Sequence, residues 1–266
     1  MLTYAALGNE GRLGNQLWQI ASTLGIANRV GQPVSFPSWE YRPYFSVPDR
    51  LFTGPVGNDV VPYATMIPPQ HRPYLQHLSL WEDIQKDVRV FFSPSEKAIE
   101  EVTRRYSRYL DPDDHFTSVH VRRTDAVAKQ EWFKVPNLDY FLPAMELAAA
   151  DANGFTTFLV FSDDIEWCHE NFPEKVSGCD IEFVTEVLPE PGRNHRGDPL
   201  GNSTDWMEMF VMSACDGHVT SNSTFSWWAA WLSTDPSPIT PAVLYGPRYI
   251  NEIDLNNFLP PEWRRL

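Results

Sequence analysis

Two adjacent arginines follow a stretch of residues that favour β-structure. The run Phe116–Val121 is typical of a buried strand. It leads directly into Arg122 and Arg123, with His120 just before them and Asp125 just after. Ligands of open α/β sheets bind at the carboxyl ends of the strands, where paired guanidinium groups match the oxygens of a phosphate or diphosphate. A surface ion pair at the strand end is the alternative, and the motif alone leaves both interpretations open.

A second polar cluster precedes a very apolar segment, Phe225–Leu232, that is expected to be helical. The cluster consists of Ser221, Asn222, Ser223 and Thr224. The first turn of a helix has unpaired N–H groups and the positive end of the helix dipole, and small hydroxyl or amide side chains add further donors. A simple N-cap needs only one of these four residues. The cluster therefore predicts a second anion-binding turn that faces the arginines.

A glycine-rich turn lies near the N-terminus, between a predicted strand over residues 3–8 and a predicted helix that begins at Leu13. Such a turn lets the backbone approach a ligand closely and directs free N–H groups at it. Turns of this kind also occur merely to connect a strand to a helix. The residues of this turn that we single out are Arg12, Gly14, Asn15 and Gln16.

The chain after Asp114 alternates short apolar runs with helical segments, which predicts a parallel sheet covered on both faces. Three polar clusters follow predicted strands, namely Arg122–Arg123, Ser162–Asp164 and Ser221–Thr224, so we expect them along one carboxyl edge of the sheet. The predicted strands are 115–121, 156–161, 181–184 and 217–220, and the predicted helices are 139–150, 205–215 and 225–232. Before Asp114, residues 79–92 and 94–109 are predicted to be helical, the second segment with Ile99, Val102, Tyr106 and Tyr109 on one face.

The segment Asp111–Asp114 marks the point at which this pattern begins. It contains the Asp-x-Asp spacing that many sugar transferases use for a divalent metal, but its proline and its position before a strand favour a turn. We therefore place a domain boundary here, with one domain over residues 1–113 and a second over residues 114–266.

The composition limits the classes of protein to be considered. With 266 residues, 42% of them hydrophobic, the chain can bury a large core. The net charge of -14 disfavours nucleic acid and anionic membranes as partners, so a phosphate site must be a local basic island. The sequence has neither a run of the roughly 18 apolar residues that a membrane span requires nor a signal peptide. We expect a cytoplasmic protein, at most peripheral at the inner membrane.

The three cysteines, Cys168, Cys179 and Cys215, are odd in number and lack a Cys-x-x-Cys pair. This favours buried free thiols over a disulfide framework. Zinc ligation by the pairs Cys168–His169 and Cys215–His218 is the alternative. It is disfavoured because Cys168 and Cys215 fall on predicted apolar helix faces.

Five stretches, in order and over nearly the whole chain, together resemble the family-11 α-1,2-fucosyltransferases. They are Gly11–Gln16 (GRLGNQ), His120–Asp125 (HVRRTD), Phe161–Cys168 (FSDDIEWC), Ser221–Leu232 (SNSTFSWWAAWL) and Phe258–Trp263 (FLPPEW). The resemblance implies a GT-B fold, in which two Rossmann-like domains face each other across a cleft, with the N-terminal domain on the acceptor side and the C-terminal domain binding the GDP-sugar. It also implies an inverting transferase that needs no metal or other cofactor, with GDP-β-L-fucose as donor and a galactose-terminated oligosaccharide as acceptor.

The resemblance also implies roles for individual residues. His120 and Asp205 would contact guanine or ribose, and Arg122 and Arg123 would hold the diphosphate together with the turn Ser221–Thr224. Fixed donors at the departing oxygen stabilise the transition state, so Arg122 is expected to act in catalysis. The resemblance also implies that Asn15, in the glycine-rich turn of the first domain, reaches the donor across the cleft.

The acceptor hydroxyl needs a base that reaches it directly or through one water, and Asp125, Glu131 and Asp163 are the nearby carboxylates in the sequence. We prefer Asp125 among them, although orienting one of the arginines is an alternative role for it. Another GDP-sugar donor, a protein hydroxyl acceptor and a non-catalytic nucleotide-sugar-binding protein remain alternatives.

The chain departs from the family pattern in two places. Thr124 stands where glycine is usual in the arginine motif, which predicts an altered loop after the strand. The polar segment 186–204, which contains Arg193, His195 and Arg196, is longer than the family norm, and we interpret it as a flap over the donor or a disordered excursion.

Overall fold

The computed structural model describes residues 1–67, 72–130, 134–185, 204–234, 238–242 and 257–266. The described residues form two compact units, and the chain passes from the first unit to the second between Val102 and Thr103. The first unit also includes residues 204–207 and 257–260, and the other described residues after Val102 belong to the second. The domain boundary at Asp111–Asp114 stays a prediction from the sequence.

The first unit is built around one long, buried helix. Its regular elements are β1 (Leu2–Thr3), α1 (Leu13–Arg29), β2 (Asn58–Asp59), α2 (Gln85–Phe91) and the greater part of α3 (Glu96–Tyr106). Strands β1 and β2 pair in parallel, and an isolated parallel bridge joins Leu2 to Val34. The prediction of a helix from Leu13 is confirmed, whereas the strand predicted over residues 3–8 is wrong because the chain turns after two paired residues.

Helix α1 forms because its apolar residues recur at intervals of three and four, so that they fall on one face. Leu13, Leu17 and Ile20 are fully buried. Trp18 packs edge-on against Trp81, with ring centroids 5.6 Å apart, and also contacts Phe258. The helix is therefore covered by aromatic side chains from two other parts of the same unit.

The second unit contains the sheet that the sequence predicts. Its elements are β3 (Phe116–Val121), α4 (Thr124–Val127), α5 (Leu138–Asp151), β4 (Thr157–Ser162), α6 (Ile165–Asn171), β5 (Lys175–Val176), β6 (Cys179–Phe183), most of α7 (Asp205–Ser213), β7 (Gly217–Val219), α8 (Thr224–Leu232), β8 (Ile239–Thr240) and β9 (Arg264–Arg265). All strand pairs are parallel except β5 with β6.

The order of the parallel strands is that of a doubly wound fold. Across the sheet they run β6-β4-β3-β7-β8-β9, preceded at one edge by the antiparallel β5. Numbered along the chain from β3, this is the order 3-2-1-4-5-6 of a Rossmann fold, which reverses direction between β3 and β7. Ligands of open α/β sheets bind in the crevice outside the carboxyl ends of the strands at this switch point.

The central strand β3 is buried on both faces, which differ in chemistry. One face carries Val119 and Val121, which join a core formed with β4, α5 and α6 that includes Phe141 and Cys168. The other face carries Ser118 and His120, both of which are buried and hydrogen-bonded. Since side chains alternate along a strand, this polar row is set by the sequence Ser-Val-His-Val.

The three cysteines are buried free thiols, as predicted. Burial raises the pKa of Cys168 to about 11, so this thiol stays protonated at neutral pH. None of the described helices is long and apolar enough to cross a membrane.

Candidate active site

The three polar clusters lie on neighbouring strand ends, as predicted. Strand β3 lies between β4 and β7, with Val121 opposite Ser162 and Val119 opposite Val219. All three strands run in the same direction, so Arg122–Arg123, Ser162–Asp164 and Ser221–Thr224 share one carboxyl edge. The first and third clusters flank the switch point between β3 and β7.

A hydrogen bond between His120 and Ser221 spans the switch point. His120 Nδ1 lies 2.9 Å from Ser221 Oγ, and the imidazole packs against Phe225 of α8 with ring centroids 5.5 Å apart. Both residues are buried, with 8% of His120 and 3% of Ser221 exposed. The end of β3 is therefore tied to the turn that precedes α8.

The turn after β7 contains the cap of α8. Ser223 is the N-cap residue and accepts a hydrogen bond from the Phe225 amide, so helix α8 begins at Thr224. Asn222 donates from its side-chain amide to the carbonyl of Lys134, at 3.3 Å. Ser223 thus caps the helix, as one residue of a simple N-cap does, whereas Asn222 contacts a different segment of the chain.

Arg122 is paired with Asp125. Its Nε and Nη2 donate to the two carboxylate oxygens of Asp125 at 3.2 and 2.7 Å. The Arg122 side chain is 18% exposed and that of Asp125 is 39% exposed. This geometry is the one expected of an orienting residue, and the role of Asp125 as a catalytic base stays a prediction.

Arg123 is held in a different direction by α6. Its Nε donates to Asp164 at 3.1 Å, and its guanidinium carbon lies 3.7 Å from the centre of the Trp167 ring. Asp164 also caps α6 by accepting from the Trp167 amide. The side chain of Arg123 is therefore fixed between a carboxylate and an indole.

The Ser-Asp-Asp cluster holds the backbone on either side of Arg122. Ser162 Oγ donates to the carbonyl of Val121 at 2.8 Å. Asp163 accepts from the backbone amide of Arg123 at 2.7 Å and from the Thr124 hydroxyl at 2.6 Å. Thr124 thus makes a hydrogen bond that a glycine could not, and both carboxylate oxygens of Asp163 are engaged in holding the loop.

In the first unit, the glycine turn is anchored by amide side chains of α1. Gln16 is buried, donates to the carbonyl of Gly11 at 3.0 Å and accepts from the indole of Trp39 at 2.7 Å. Asn15 Oδ1 accepts from the side chain of Gln76 at 2.8 Å. Arg12 immediately precedes α1, and Gly14 is buried in its first turn.

Asp205 begins α7, and the hydroxyl of Tyr41 lies 3.4 Å from its Oδ2 atom, within the first unit. Burial raises the pKa of Tyr41 far above its usual value, and the nearby Asp205 carboxylate acts in the same direction. Tyr41 is therefore a neutral hydrogen-bond donor. Residue Glu131 and the polar segment 186–203 lie outside the described residues.

The profile of Glycosyl transferase family 11 matches residues 63–263, which is well over half of the chain. The chain belongs to glycosyl transferase family 11. An alpha-1,2-colitosyltransferase of Escherichia coli is 34% identical over 155 residues, which cover 56% of this chain and 47% of that protein. The galactoside alpha-(1,2)-fucosyltransferase 1 of Alouatta belzebul is 30% identical over 132 residues, which cover 48% of this chain and 32% of that protein. The chain thus spans less than half the length of either relative.

The fold of this family-11 chain is similar to that of POFUT1 in a crystal structure with GDP-fucose. The match has a TM-score of 0.54 at 13% identity and covers 89% of this chain and 95% of that chain. At this level of identity the likeness concerns the fold alone. It confirms the α/β fold of GT-B type that the resemblance implied.

The sequence did not predict that the loop with Arg122 and Arg123 is held by contacts with Asp163, Asp164 and Trp167. A signal for it was present, since alternation along β3 places Arg123 on the same side as Val121, the side that packs on α6. Among the described residues, no cluster of three or more His, Cys, Asp or Glu side chains could hold a metal ion.

Proposed function

We propose that this family-11 protein is an inverting glycosyltransferase that transfers L-fucose from GDP-β-L-fucose to the 2-hydroxyl of a galactoside, without a metal ion. The observation that carries the proposal is the hydrogen bond between His120 and Ser221. It ties a strand that leads into Arg122 to a turn that opens a helix, at the switch point of a Rossmann-type sheet. Both groups suit a diphosphate, because one supplies a guanidinium and the other supplies small hydroxyl and amide side chains at the positive end of a helix dipole.

The transfer needs stabilisation of the negative charge that develops on the leaving group. The acceptor hydroxyl attacks the anomeric carbon from the side opposite the diphosphate, so the bond from that carbon to the β-phosphate oxygen breaks as the new glycosidic bond forms. Negative charge then accumulates on the departing diphosphate. Arg122, held in place by Asp125, is the group that we assign to this charge.

A base for the acceptor proton is not identified by this arrangement. Asp125 and Asp163 both use their two oxygens in the hydrogen bonds described above. The role of Asn15 toward the donor, and those of Asp205 and His120 toward guanine or ribose, stay predictions of the family resemblance.

The direct test is a transfer assay with matched acceptors. The protein, GDP-fucose, EDTA and a β-galactoside should release GDP and form a fucosylated product, whereas the corresponding 2-deoxygalactoside should give no product. Equal transfer to both acceptors would refute the proposed linkage. Tight donor binding with neither transfer nor hydrolysis would favour a non-catalytic nucleotide-sugar-binding protein.

A second donor is favoured by one comparison. The E. coli relative that is 34% identical is named as a colitosyltransferase, and colitose is fucose without its 3-hydroxyl. A site built to hydrogen-bond that hydroxyl discriminates strongly against the deoxy sugar, because its polar groups would lose their partner. Comparing kcat/KM for GDP-fucose and GDP-colitose, with GDP-mannose as a further competitor, therefore identifies the donor.

A further inference from the structure

We infer that Asp164 and Trp167 are positioning residues that act through Arg123 on the loop that carries Arg122, and that only Arg122 of the two arginines contacts the donor diphosphate. The inference rests on the proposed function, since it concerns the same donor site. It assigns different tasks to two adjacent residues of the same type.

The first argument is the occupation of the Arg123 guanidinium. Asp164 accepts from its Nε at 3.1 Å, while one face of the planar group lies 3.7 Å from the centre of the Trp167 ring. The two side chains of the ion pair are only 18% and 32% exposed, so water screens the interaction less than at an open surface. Moving Arg123 to a phosphate would break both contacts.

The second argument is direction. The crevice at the switch point lies between β3 and β7, where His120 and Ser221 meet. Arg123 extends instead to the first turn of α6, which follows β4 on the opposite side of β3. The alternation of β3, continued two residues past its end at Val121, has the same consequence, because it places Arg123 with Val121 and Arg122 with His120.

The third argument is that the residues flanking Arg122 are fixed from the same side. The carbonyl of Val121 accepts from Ser162, and the amide of Arg123 donates to Asp163. The Arg123 side chain adds a third attachment at Asp164. Because the backbone is held before and after Arg122, the position of its guanidinium depends on these contacts, and small displacements of a positioned group weaken transition-state contacts.

The test is a set of double-mutant cycles read out as GDP affinity. The single variants are Arg122→Ala, Arg123→Gln, Trp167→Leu and Asp164→Asn, and each of the last three is also combined with Arg122→Ala. Calorimetry or NMR titration gives the dissociation constant of GDP. Each titration is done well below the melting temperature of the variant, which is also recorded. Trp167→Phe keeps an aromatic face and should partly restore the affinity lost in Trp167→Leu.

We expect Arg123→Gln, Trp167→Leu and Asp164→Asn each to weaken GDP binding by roughly five- to tenfold, a loss comparable to that of a partly buried cation–π contact. In the Arg122→Ala background the same substitutions should change the affinity by less than about twofold, because the group through which they act is gone. Additive losses in both backgrounds would instead mean that Arg123 contacts the diphosphate itself and would overturn the inference.

Arg108 provides a matched control in the same unit. It also pairs with a carboxylate, Glu182, at 2.5 Å, and its guanidinium lies 5.7 Å from the Tyr109 ring. The Tyr109 ring contacts Phe116, the first residue of β3, so Arg108 lies near the amino end of the strand and not at its carboxyl end. Arg108→Gln should leave GDP affinity unchanged. Lower melting temperatures with wild-type GDP affinity in the Trp167 and Asp164 variants would show a merely structural role and refute the inference. Failure of the wild-type protein to bind GDP would refute the proposed function instead.

Discussion

Arg122 and Arg123 have the same charge, the same side-chain exposure of 18% and adjacent positions, yet their surroundings differ. Arg122 forms a local pair with Asp125 three residues later, whereas Arg123 is held by Asp164 and Trp167 from the neighbouring strand–helix unit. The difference follows from alternation along β3, which sends successive side chains to opposite sides. The chemistry of a motif therefore depends on the strand phase as well as on residue type.

Replacing Arg122 by alanine tests its role in the proposed transfer. We expect kcat to fall by a factor on the order of 10² to 10³, the loss measured when one oxyanion donor is removed from an enzyme. The reason is that the departing diphosphate would lose a fixed positive donor. Single-turnover measurement of GDP release gives the chemical rate, with Arg108→Ala as the control. A variant with wild-type kcat and only a raised KM would mean that Arg122 binds the ground state and the transition state equally well and does not act in the chemical step.

Helices and strands with a strong apolar pattern could be predicted from the sequence, whereas short elements could not. The predicted segment 115–121 corresponds to strand β3, because four of its six residues are apolar or β-branched and all six are buried. The helix predicted over residues 79–92 is wrong in its first half, where two 3₁₀ turns, Leu78–Leu80 and Glu82–Ile84, precede α2. Such turns have the composition of a helix but are set by tertiary packing, here against α1 and Trp18.

The face of α3 was also predicted incompletely. Ile99 was expected on the buried face, but it is 52% exposed, and Ala98, Val102 and Tyr106 form the buried stripe. These three recur at intervals of four residues, so a small alanine occupies the position that the larger isoleucine was expected to fill. Local sequence gives the period of a helix, whereas its neighbours decide which of two adjacent residues is covered.

The candidate site was predicted as three strand-end clusters, and their shared edge is confirmed. The residues that hold the arginine loop were not predicted. Asp163, Asp164 and Trp167 lie about forty positions after the arginines that they contact. A single sequence shows the spacing within a motif but not the pairing between motifs. The register of β3 with β4 supplies that pairing.

The packing of α1 against the Leu78–Leu80 turn leads to a prediction for Gly25. A Cβ atom at this position would lie 2.6 Å from the Trp81 Cα and even closer to the Leu80 carbonyl oxygen, so the backbones would have to separate. Alanine gains about 1 kcal/mol in helix propensity over glycine. Overpacking typically costs about 1 to 3 kcal/mol, and we expect it to prevail here because the obstacle is backbone.

Gly25→Ala should therefore lower the free energy of unfolding, as measured by urea titration. Asn28→Ala, at an exposed position of the same helix, is the control and should change stability by no more than about 0.5 kcal/mol. Increased stability of Gly25→Ala would mean that the turn can move away from α1 without cost.

For the whole molecule, the net charge of -14 is not offset by a basic region at the candidate site. The two arginines there are accompanied by Asp125, Asp163 and Asp164, so the cluster carries two positive and three negative formal charges. The local basic island expected from composition is therefore neutralised by its own carboxylates. Binding of an anionic donor must depend on directed hydrogen bonds rather than on the general field of the protein.

Acidification acts on the stability of the whole fold through His218. Burial lowers the pKa of this histidine from its usual value of about 6.5 to about 3. Its Nδ1 pairs with Ser118 Oγ at 2.8 Å, while its Nε2 is buried and has no hydrogen-bond partner among the described residues. Between these two values the unfolded chain binds a proton that the folded chain does not. The contribution of His218 to stability is therefore fully present above pH 6.5 and is lost as the pH falls.

From pH 7.5 to 5.5, which stays above the sequence pI of about 4.8, this single group should remove about 1.4 kcal/mol from the free energy of unfolding. Urea titrations at the two pH values measure this decrease in the free energy of unfolding. In His218→Asn the decrease should be smaller by the amount assigned to His218, whatever the stability of the variant itself. Ser118→Ala keeps the buried imidazole and should keep the decrease. The growing protonation of surface carboxylates relieves the repulsion of a net charge of -14 and so opposes the loss, but it is common to both proteins and cancels in the comparison. An unchanged pH dependence in His218→Asn would therefore mean that the imidazole takes up its proton in the folded state.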